Sequence, residues 1–378
     1  MVDHCTPTPD RDAGSVIIFN LMLLMREMGF QVTFVPEDNH LYLPGYTDEL
    51  QAYGVEVLYE PYCPSVESHV KQCGYRYDLA LLVRPGVIET HLETVRRHCP
   101  HAKLIYHTVD LHYLRMQREA AVAGIDNKRD VEQMKLIEHD AIRRADASIV
   151  VSTAEQALLK QELPQAPVHV LPLIMDVPGT RVGFAERQDI IFVGGYQHTP
   201  NVDAVEYFVA EVLPLIHQKL PDVRLHVVGS NVPASIEALA SERVIITGFV
   251  DDLQPLQDRM RVNVAPLRYG AGIKGKIGSA MAVGLPSVAT TIATEGMGLV
   301  AGRDVLVGDD AQALADQVCQ LYTDEALWTA MSAAGISFAD QAWGARAAWK
   351  AFEKILDSVD LPVRQSKRPL SLWRPTSN

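Results

Sequence analysis

The chain has 378 residues, 48% of them apolar, and a formal net charge of −13. A length beyond the roughly 250–300 residues at which single cores stop growing implies two domains. The acidic balance argues against nucleic acid as the main partner, because a phosphate backbone calls for a basic surface. The five cysteines (Cys5, Cys63, Cys73, Cys99, Cys319) form no CxxC pair and have no zinc-like spacing, which fits free thiols in a reducing cytoplasm. No apolar run reaches the roughly 18 residues that span a bilayer, and no signal peptide precedes the first helix, so a cytoplasmic location is expected.

Only Met1 and Val2 precede Asp3, so the first strand is expected to be a stub. Ser15 can cap a helix running to about Met28, with Gly29 as its stop. The runs QVTFVP, VEVLYE, LALLVR, KLIYHTV, ASIVVS and VHVLPL then alternate with amphipathic segments, the pattern of a parallel-sheet α/β domain. The segment 127–145 is helical, and Val131, Met134, Ile137, Glu138, Ala141, Ile142 and Ala145 form one stripe read as core packing. Residues 176–188, with Pro178, Gly179 and Gly183, read as a linker. The second half repeats the plan with DIIFVGG, VRLHVVG, VIITGF, VNVAPL, PSVATT and VLVGD. The expected domains are 1–175 and 176–342, with a final helix over about 343–359 that returns to the first. A basic, proline-containing tail, 360–378, is read as disordered or draped on a surface, with a membrane-surface role as the alternative. Two such domains imply a cleft between the carboxyl edges of their sheets, where ligands bind in these folds.

The stretch 189–290 carries the chemistry. Gly194 and Gly195 follow a strand and let backbone approach an anion without side-chain obstruction; a plain tight turn is the alternative. Lys274 and Lys276 stand at the start of a second helix, where a cation opposes the helix dipole unless an anion is bound. Arg268 can add charge there, and Gly270 and Gly272 make the preceding loop compliant. His198 is a candidate ligand contact. Asn201 is either a contact or the cap of the helix containing Val202, Val205 and Val209. Gly14 and the amides beyond it, before the first helix, also suit an anion, with Asp10, Arg11 and Asp12 beside them. His107, Asp110 and His112 follow a strand and should lie on a sheet edge, where polar groups are more often functional than structural. Arg115 and Arg118 lie beyond them at helical spacing.

In order, FVGGYQHTPN, DVRLHVVGS, VIITGFVDDL, APLRYGAGIKGKIGSAMAVGLPSVATT and TEGMGL resemble glycosyltransferase family 4, the "group 1" retaining enzymes of GT-B architecture. PTPDRDAGSVIIFNLMLLMREMGFQVTFVP and LIYHTVDLHYLRMQREA extend the resemblance over residues 3–355. The resemblance implies two Rossmann-like domains whose parallel sheets face one another, and a hexosyltransferase that retains anomeric configuration. Its donor is a nucleotide diphosphate sugar and its acceptor a glycan or lipid-linked glycan, in polysaccharide synthesis such as O-antigen or capsule. Lys276, Asp110 and His112 are then the catalytic candidates. Gly14, Gly194, Gly195, His198, Asn201, Arg268, Gly272, Lys274, Ser279 and Glu295 join Lys276 around the donor. No cofactor or metal is expected beyond the donor, and contact with the inner membrane face would be peripheral. Many members carry two glutamates spaced eight apart where this chain has Ala271 and Ser279, which leaves Ser279, with Glu295 from TEGMGL, for the ribose. A nucleotide-sugar epimerase on the same scaffold is the alternative enzyme, and a catalytically weak donor-binding partner subunit the alternative of another class.

Overall fold

The computed structural model describes residues 1–38, 40–361, 363 and 372. The chain divides into two compact units. Each of the runs expected to be a strand contains one, because strands buried on both faces of a parallel sheet must be nearly continuous in apolar residues.

Among the described residues the first unit comprises Met1–Thr8, Val16–Ile174 and positions 345–361, 363 and 372. Its strands are β1 (Val2–Asp3), β2 (Thr33–Pro36), β3 (Glu56–Val57), β4 (Leu79–Val83), β5 (Lys103–His107), β6 (Ala147–Val150) and β7 (Val168–Val170), in the spatial order β3-β2-β1-β4-β5-β6-β7, and every pairing is parallel. The central β1 is the expected stub, tied to its neighbours at Val2–Val35 and Val2–Leu82. One face of the sheet packs on the helix Ala13–Glu27 through Ile18, Phe19 and Met22, and on the helix Ala345–Ser358 through Ala348, Phe352, Ile355 and Leu356. The other face packs on the helix Pro85–His98 through Val87, Ile88, Leu92 and Val95, and on the helix Lys128–Arg144 through Ala141 and Ile142.

Two terminal assignments differ from expectation. The first helix is capped by Asp12, not Ser15: the Asp12 carboxylate accepts from Ser15 N at 2.8 Å and from the Ser15 hydroxyl at 2.6 Å. Asp and Ser stand three residues apart, and the one before the helix takes the orphan amide. Gly29, at φ 91°, ends the helix as expected. At the other end, Trp343 closes the helix Glu325–Trp343, and the final helix starts at Ala345 after the extended Gly344. The tail over 360–378 lies outside the described residues except at positions 360, 361, 363 and 372.

The second unit comprises Pro9–Ser15 and Met175–Gly344 among the described residues. Its strands β8 (Gln188–Val193), β9 (Leu225–Val228), β10 (Val244–Gly248), β11 (Met260–Ala265), β12 (Ser287–Ala289) and β13 (Leu306–Val307) form a parallel sheet in the order β10-β9-β8-β11-β12-β13. The stretch read as a linker is anchored here. Arg187, 1% exposed, spreads its guanidinium over the carbonyls of Val182, Gln257, Met260 and Val283, the Thr180 hydroxyl and the Asp258 carboxylate. Among the described residues no helix is long and apolar enough to cross a membrane.

Candidate functional site

In the second unit, β8 runs into Gly194 and Gly195. The Gly194 amide donates to Val228 O at 2.9 Å. At Gly229, with φ 146°, a Cβ would stand 1.8 Å from Gly194 O, so only glycine fits that approach. A Cβ on Gly194 would lie 2.8 Å from the Asn201 side chain, so the missing side chain makes room for that amide. Asn201 sits inside the helix Thr199–Tyr207, whose cap position is the exposed His198. Asn201 is therefore a bridge and not the cap: its Nδ2 donates to Gly195 O at 2.7 Å and its Oδ1 accepts from Lys276 Nζ at 2.6 Å. The His198 backbone closes the same turn, donating to Gly195 O at 3.3 Å.

Lys276 lies in the first turn of the helix Gly275–Ala282. Its ammonium is 4.9 Å from the centre of the Phe192 ring. Burial, with Lys274 adding to it, pushes its pKa down to about 7. Lys274 turns back on its own loop, donating to Ala271 O at 2.7 Å and Gly272 O at 2.9 Å. Gly270 (φ 141°) and Gly272 (φ 64°) supply the backbone conformations that this loop needs. Arg268 is engaged by Asp203, with Nε at 3.0 Å from the carboxylate, and lies 5.0 Å over Tyr207. The Ser279 hydroxyl donates to Lys276 O at 3.2 Å and accepts from Gln257 Nε2 at 3.4 Å. Glu295 follows the short helix Thr291–Thr294 and is half-buried.

Gly14 belongs to the first turn of the Ala13–Glu27 helix, and that turn counts with the second unit. A Cβ on Gly275 would meet Ala13 Cβ at 2.5 Å, so glycine there brings two helix starts together. Arg11 O accepts from Ser230 Oγ at 3.5 Å, and the Arg11 guanidinium is 5.9 Å from the Phe249 ring. The hydrogen bonds join Gly195, Asn201 and Lys276, with Gly194 packed beneath Asn201. Ser279 hangs on the Lys276 carbonyl, while Arg268 and Lys274 are held on other partners.

In the first unit the candidates collect at the carboxyl end of β5. His107 is fully buried, and its Nδ1 accepts from Val109 N at 3.0 Å. Burial, then the charge of Arg84, pushes its pKa down to about 3. The ring is neutral with its proton on Nε2, and that Nε2 has no hydrogen-bond partner among the described residues. Val109 takes φ 67°, rare for a β-branched residue and a store of roughly 1–3 kcal/mol of strain. Asp110 accepts from Arg115 Nε at 2.8 Å and lies 3.2 Å from His112 Nδ1. Burial opposes the Asp110 charge, but His112, Arg115 and Arg84 outweigh it and hold the pKa below its ordinary value. With His112 Nδ1 turned to Asp110, its Nε2 is left as the lone-pair side of the neutral ring.

Two residues here escaped the sequence reading. Arg84, at φ 75°, follows β4 and donates from Nε to the buried Asp3 carboxylate at 2.8 Å. Its signal was a cation closing an apolar strand run immediately before Pro85. Glu138 was read as part of a packing stripe, yet it is fully buried and accepts from His112 N at 3.0 Å and Tyr113 N at 2.9 Å. Glu155 accepts from Leu111 N at 3.0 Å. The orphan amides at the start of the helix His112–Ala123 are thus met by carboxylates from other helices. The signal for Glu138 was its being the one charge in that stripe.

Burial, against its two amide partners, raises the Glu138 pKa from 4.5 to about 8. A raised carboxyl pKa gives stability that is full below the unfolded value and is lost as pH rises through the folded one. Glu138→Gln removes this titration. Its melting temperature is expected to fall less than that of the wild type between about pH 5 and about pH 8.5, measured by calorimetry; parallel slopes would rule Glu138 out as the source. Among the described residues no group of three or more His, Cys, Asp or Glu side chains is arranged to hold a metal ion.

Residues 187–324 match the family model "Glycosyl transferases group 1". The fold is similar to that of sucrose-phosphate synthase from Thermosynechococcus elongatus, with a TM-score of 0.76 and 16% identity over 95% of this chain and 98% of that one. It is also similar to Anabaena HepE solved with UDP-glucose, with a TM-score of 0.68 and 16% identity over 94% of this chain and 98% of that one. In sequence, 131 residues are 25% identical to an uncharacterized 44.6 kDa protein in the cps region of Klebsiella pneumoniae; the match takes in 32% of this chain and 34% of that protein. Two parallel-sheet Rossmann-like domains give this chain the fold of the GT-B glycosyltransferases, and the glycine turn and lysine helix of the second lie within the stretch that matches the group 1 model.

Proposed function

We propose that the protein moves a sugar, with retention of configuration, from a nucleotide diphosphate donor to a glycan or lipid-linked glycan in surface-polysaccharide synthesis. One observation carries this reading: the ammonium of Lys276, at a helix start, is tied to the glycine turn through Asn201. A cation whose pKa has been lowered toward neutrality beside free helix amides gains most from a doubly charged ligand. The UDP-glucose complex of HepE makes uridine nucleotides the first donors to test, and the cps-region relative favours a polysaccharide acceptor.

In this reading the glycine turn and the start of the 275–282 helix receive the diphosphate. Lys276 neutralises the charge that grows on the leaving phosphate. Ser279 and Glu295 take the ribose. The bond from the anomeric carbon to the phosphate oxygen breaks, and its electron pair stays with the phosphate. The acceptor oxygen bonds to the same face of the sugar, and its proton passes to the departing phosphate. No separate base is required, so the protein supplies orientation and electrostatics. Asp110 and His112 orient the sugar or acceptor hydroxyls in the first unit.

Thermal-shift titration with UDP-glucose and other nucleotide sugars, followed by mass detection of product, tests this. Stabilisation that grows with ligand concentration and transfer to an oligosaccharide acceptor are expected. If no nucleotide sugar stabilises the protein, the reading fails. Stabilisation without product would instead favour a donor-binding partner subunit, the reading that Ala271 and Ser279 in place of two glutamates support.

A further inference from the structure

A row of tyrosines lies on the first unit away from the residues discussed so far. Tyr42 follows β2, and Tyr59 and Tyr62 follow β3. Their rings meet edge to face, Tyr42 with Tyr59 at 5.1 Å and Tyr59 with Tyr62 at 5.8 Å. Tyr59 packs its other side on the core and so anchors the row, while Tyr62 is 80% exposed. The Tyr42 hydroxyl donates to the Asp48 carboxylate.

We propose that Tyr42, Tyr59 and Tyr62 form a distal acceptor subsite, on which one ring of a neutral glycan stacks while a hydroxyl several sugar residues away reacts. The inference rests on the glycosyl-transfer reading above. Three features support it. The tyrosines leave the carboxyl ends of β2 and β3, the same edge of the same sheet from which β5 delivers Asp110 and His112. Three to four strand spacings separate β5 from β2 and β3, so the row lies about 14–19 Å along the edge. One sugar ring cannot reach both places, whereas a short oligosaccharide can. The segments that carry the tyrosines are acidic, with Glu37, Asp38, Asp48, Glu49 and Glu60, which opposes phosphate-bearing lipid or nucleic acid and leaves hydroxyl-rich neutral ligands. Rigid rings with apolar faces and polar tips suit the apolar faces and hydroxyl rims of sugars.

The test is retention of the purified full chain on a printed array of neutral oligosaccharides of one to six residues. Retention on the longer members and not on monosaccharides is expected. Tyr62→Ala should weaken it about fivefold to tenfold, and Tyr62→Phe should restore it. Tyr75, 69% exposed in the turn before β4 at the opposite edge of the sheet, is the control, and Tyr75→Ala should change nothing. Equal retention of wild type and Tyr62→Ala, retention that ignores chain length, or no retention at all would overturn the proposal. So would sedimentation with phosphatidylcholine vesicles that Tyr62→Ala abolishes, since the row would then be a lipid contact. A nucleotide-sugar thermal shift run in parallel separates the two readings. Donor stabilisation with no length-dependent retention sinks this inference alone; loss of donor stabilisation sinks the proposed function.

Discussion

Replacing Lys276 with alanine is expected to lower kcat/KM for sugar transfer by at least about tenfold, a loss of more than about 1.4 kcal/mol of transition-state stabilisation. Loss of a single preorganised donor aimed at developing charge reaches 10²–10³-fold elsewhere, about 2.7–4 kcal/mol. Two functions of Lys276 must be separated, because its ammonium also holds Asn201, 2.6 Å away. Lys276→Met keeps a stem over the Phe192 ring and removes the charge together with the hydrogen bond to Asn201. Asn201→Ala removes the tether and keeps the charge. If the charge acts on the donor, Lys276→Met falls as far as Lys276→Ala, and Asn201→Ala falls less. The pKa near 7 adds a second signature. In the free protein Lys276 loses its proton as pH rises through 7, and a bound diphosphate raises that pKa again. Donor binding above pH 7 must therefore take up a proton and weaken with rising pH, by at most about tenfold per unit. Calorimetry in buffers of different ionisation enthalpy reads this uptake directly. Unchanged kcat/KM in Lys276→Met, or the same proton uptake in wild type and variant, would remove Lys276 from the phosphate site.

The contrast between Lys276 and its neighbours shows what the sequence can and cannot reveal. The strands were legible because a parallel strand must be apolar along its length, and VIITGF or LALLVR can be little else. The glycine turn was legible because Gly194 and Gly195 follow such a strand and a helix follows them. Side-chain partners were not legible, since they depend on which strand ends the topology gathers. Asn201 looks like a cap by residue type, but the turn places the cap at His198 and turns Asn201 inward to Gly195 and Lys276. Arg268 looks like phosphate-binding charge until Asp203, 65 residues earlier, takes it. Glu138 sits in an apolar stripe, and only the folded chain brings it under the amides of His112 and Tyr113. The same long-range pairing hid Arg187, whose sequence context of glycine, proline and charge reads as a linker.

Arg187→Ala is expected to be the most destabilising single change discussed for this protein. The arginine is 1% exposed, and its Nε, Nη1 and Nη2 all donate. Val182 O lies at 3.1 Å, Gln257 O at 2.8 Å, Met260 O at 3.3 Å, Thr180 Oγ1 at 2.8 Å, Asp258 Oδ1 at 3.2 Å and Val283 O at 3.4 Å. The Trp328 ring, 5.3 Å from the guanidinium carbon, packs against it. These acceptors belong to the segment before β8, the start of β11 and the chain just after the 275–282 helix, so one side chain ties together the elements that carry the glycine turn and Lys276. Truncation leaves buried carbonyls without their donor, leaves the Asp258 carboxylate with only the Thr180 hydroxyl, and opens a cavity. Removing one partner of a buried ion pair costs about 3–5 kcal/mol. For a unit of this size that is a fall in melting temperature of roughly 6–20 °C. Arg187→Lys should recover only a small part, because one ammonium cannot reproduce the planar fork that serves six acceptors. Differential scanning calorimetry of the full chain would show the drop as an early transition assigned to the second unit. Donor-induced stabilisation should weaken with it, because the residues proposed to hold the donor are on that unit. A drop under about 1 kcal/mol would mean that the carbonyls find water when the guanidinium leaves, and Arg187 would be a solvated linker residue after all.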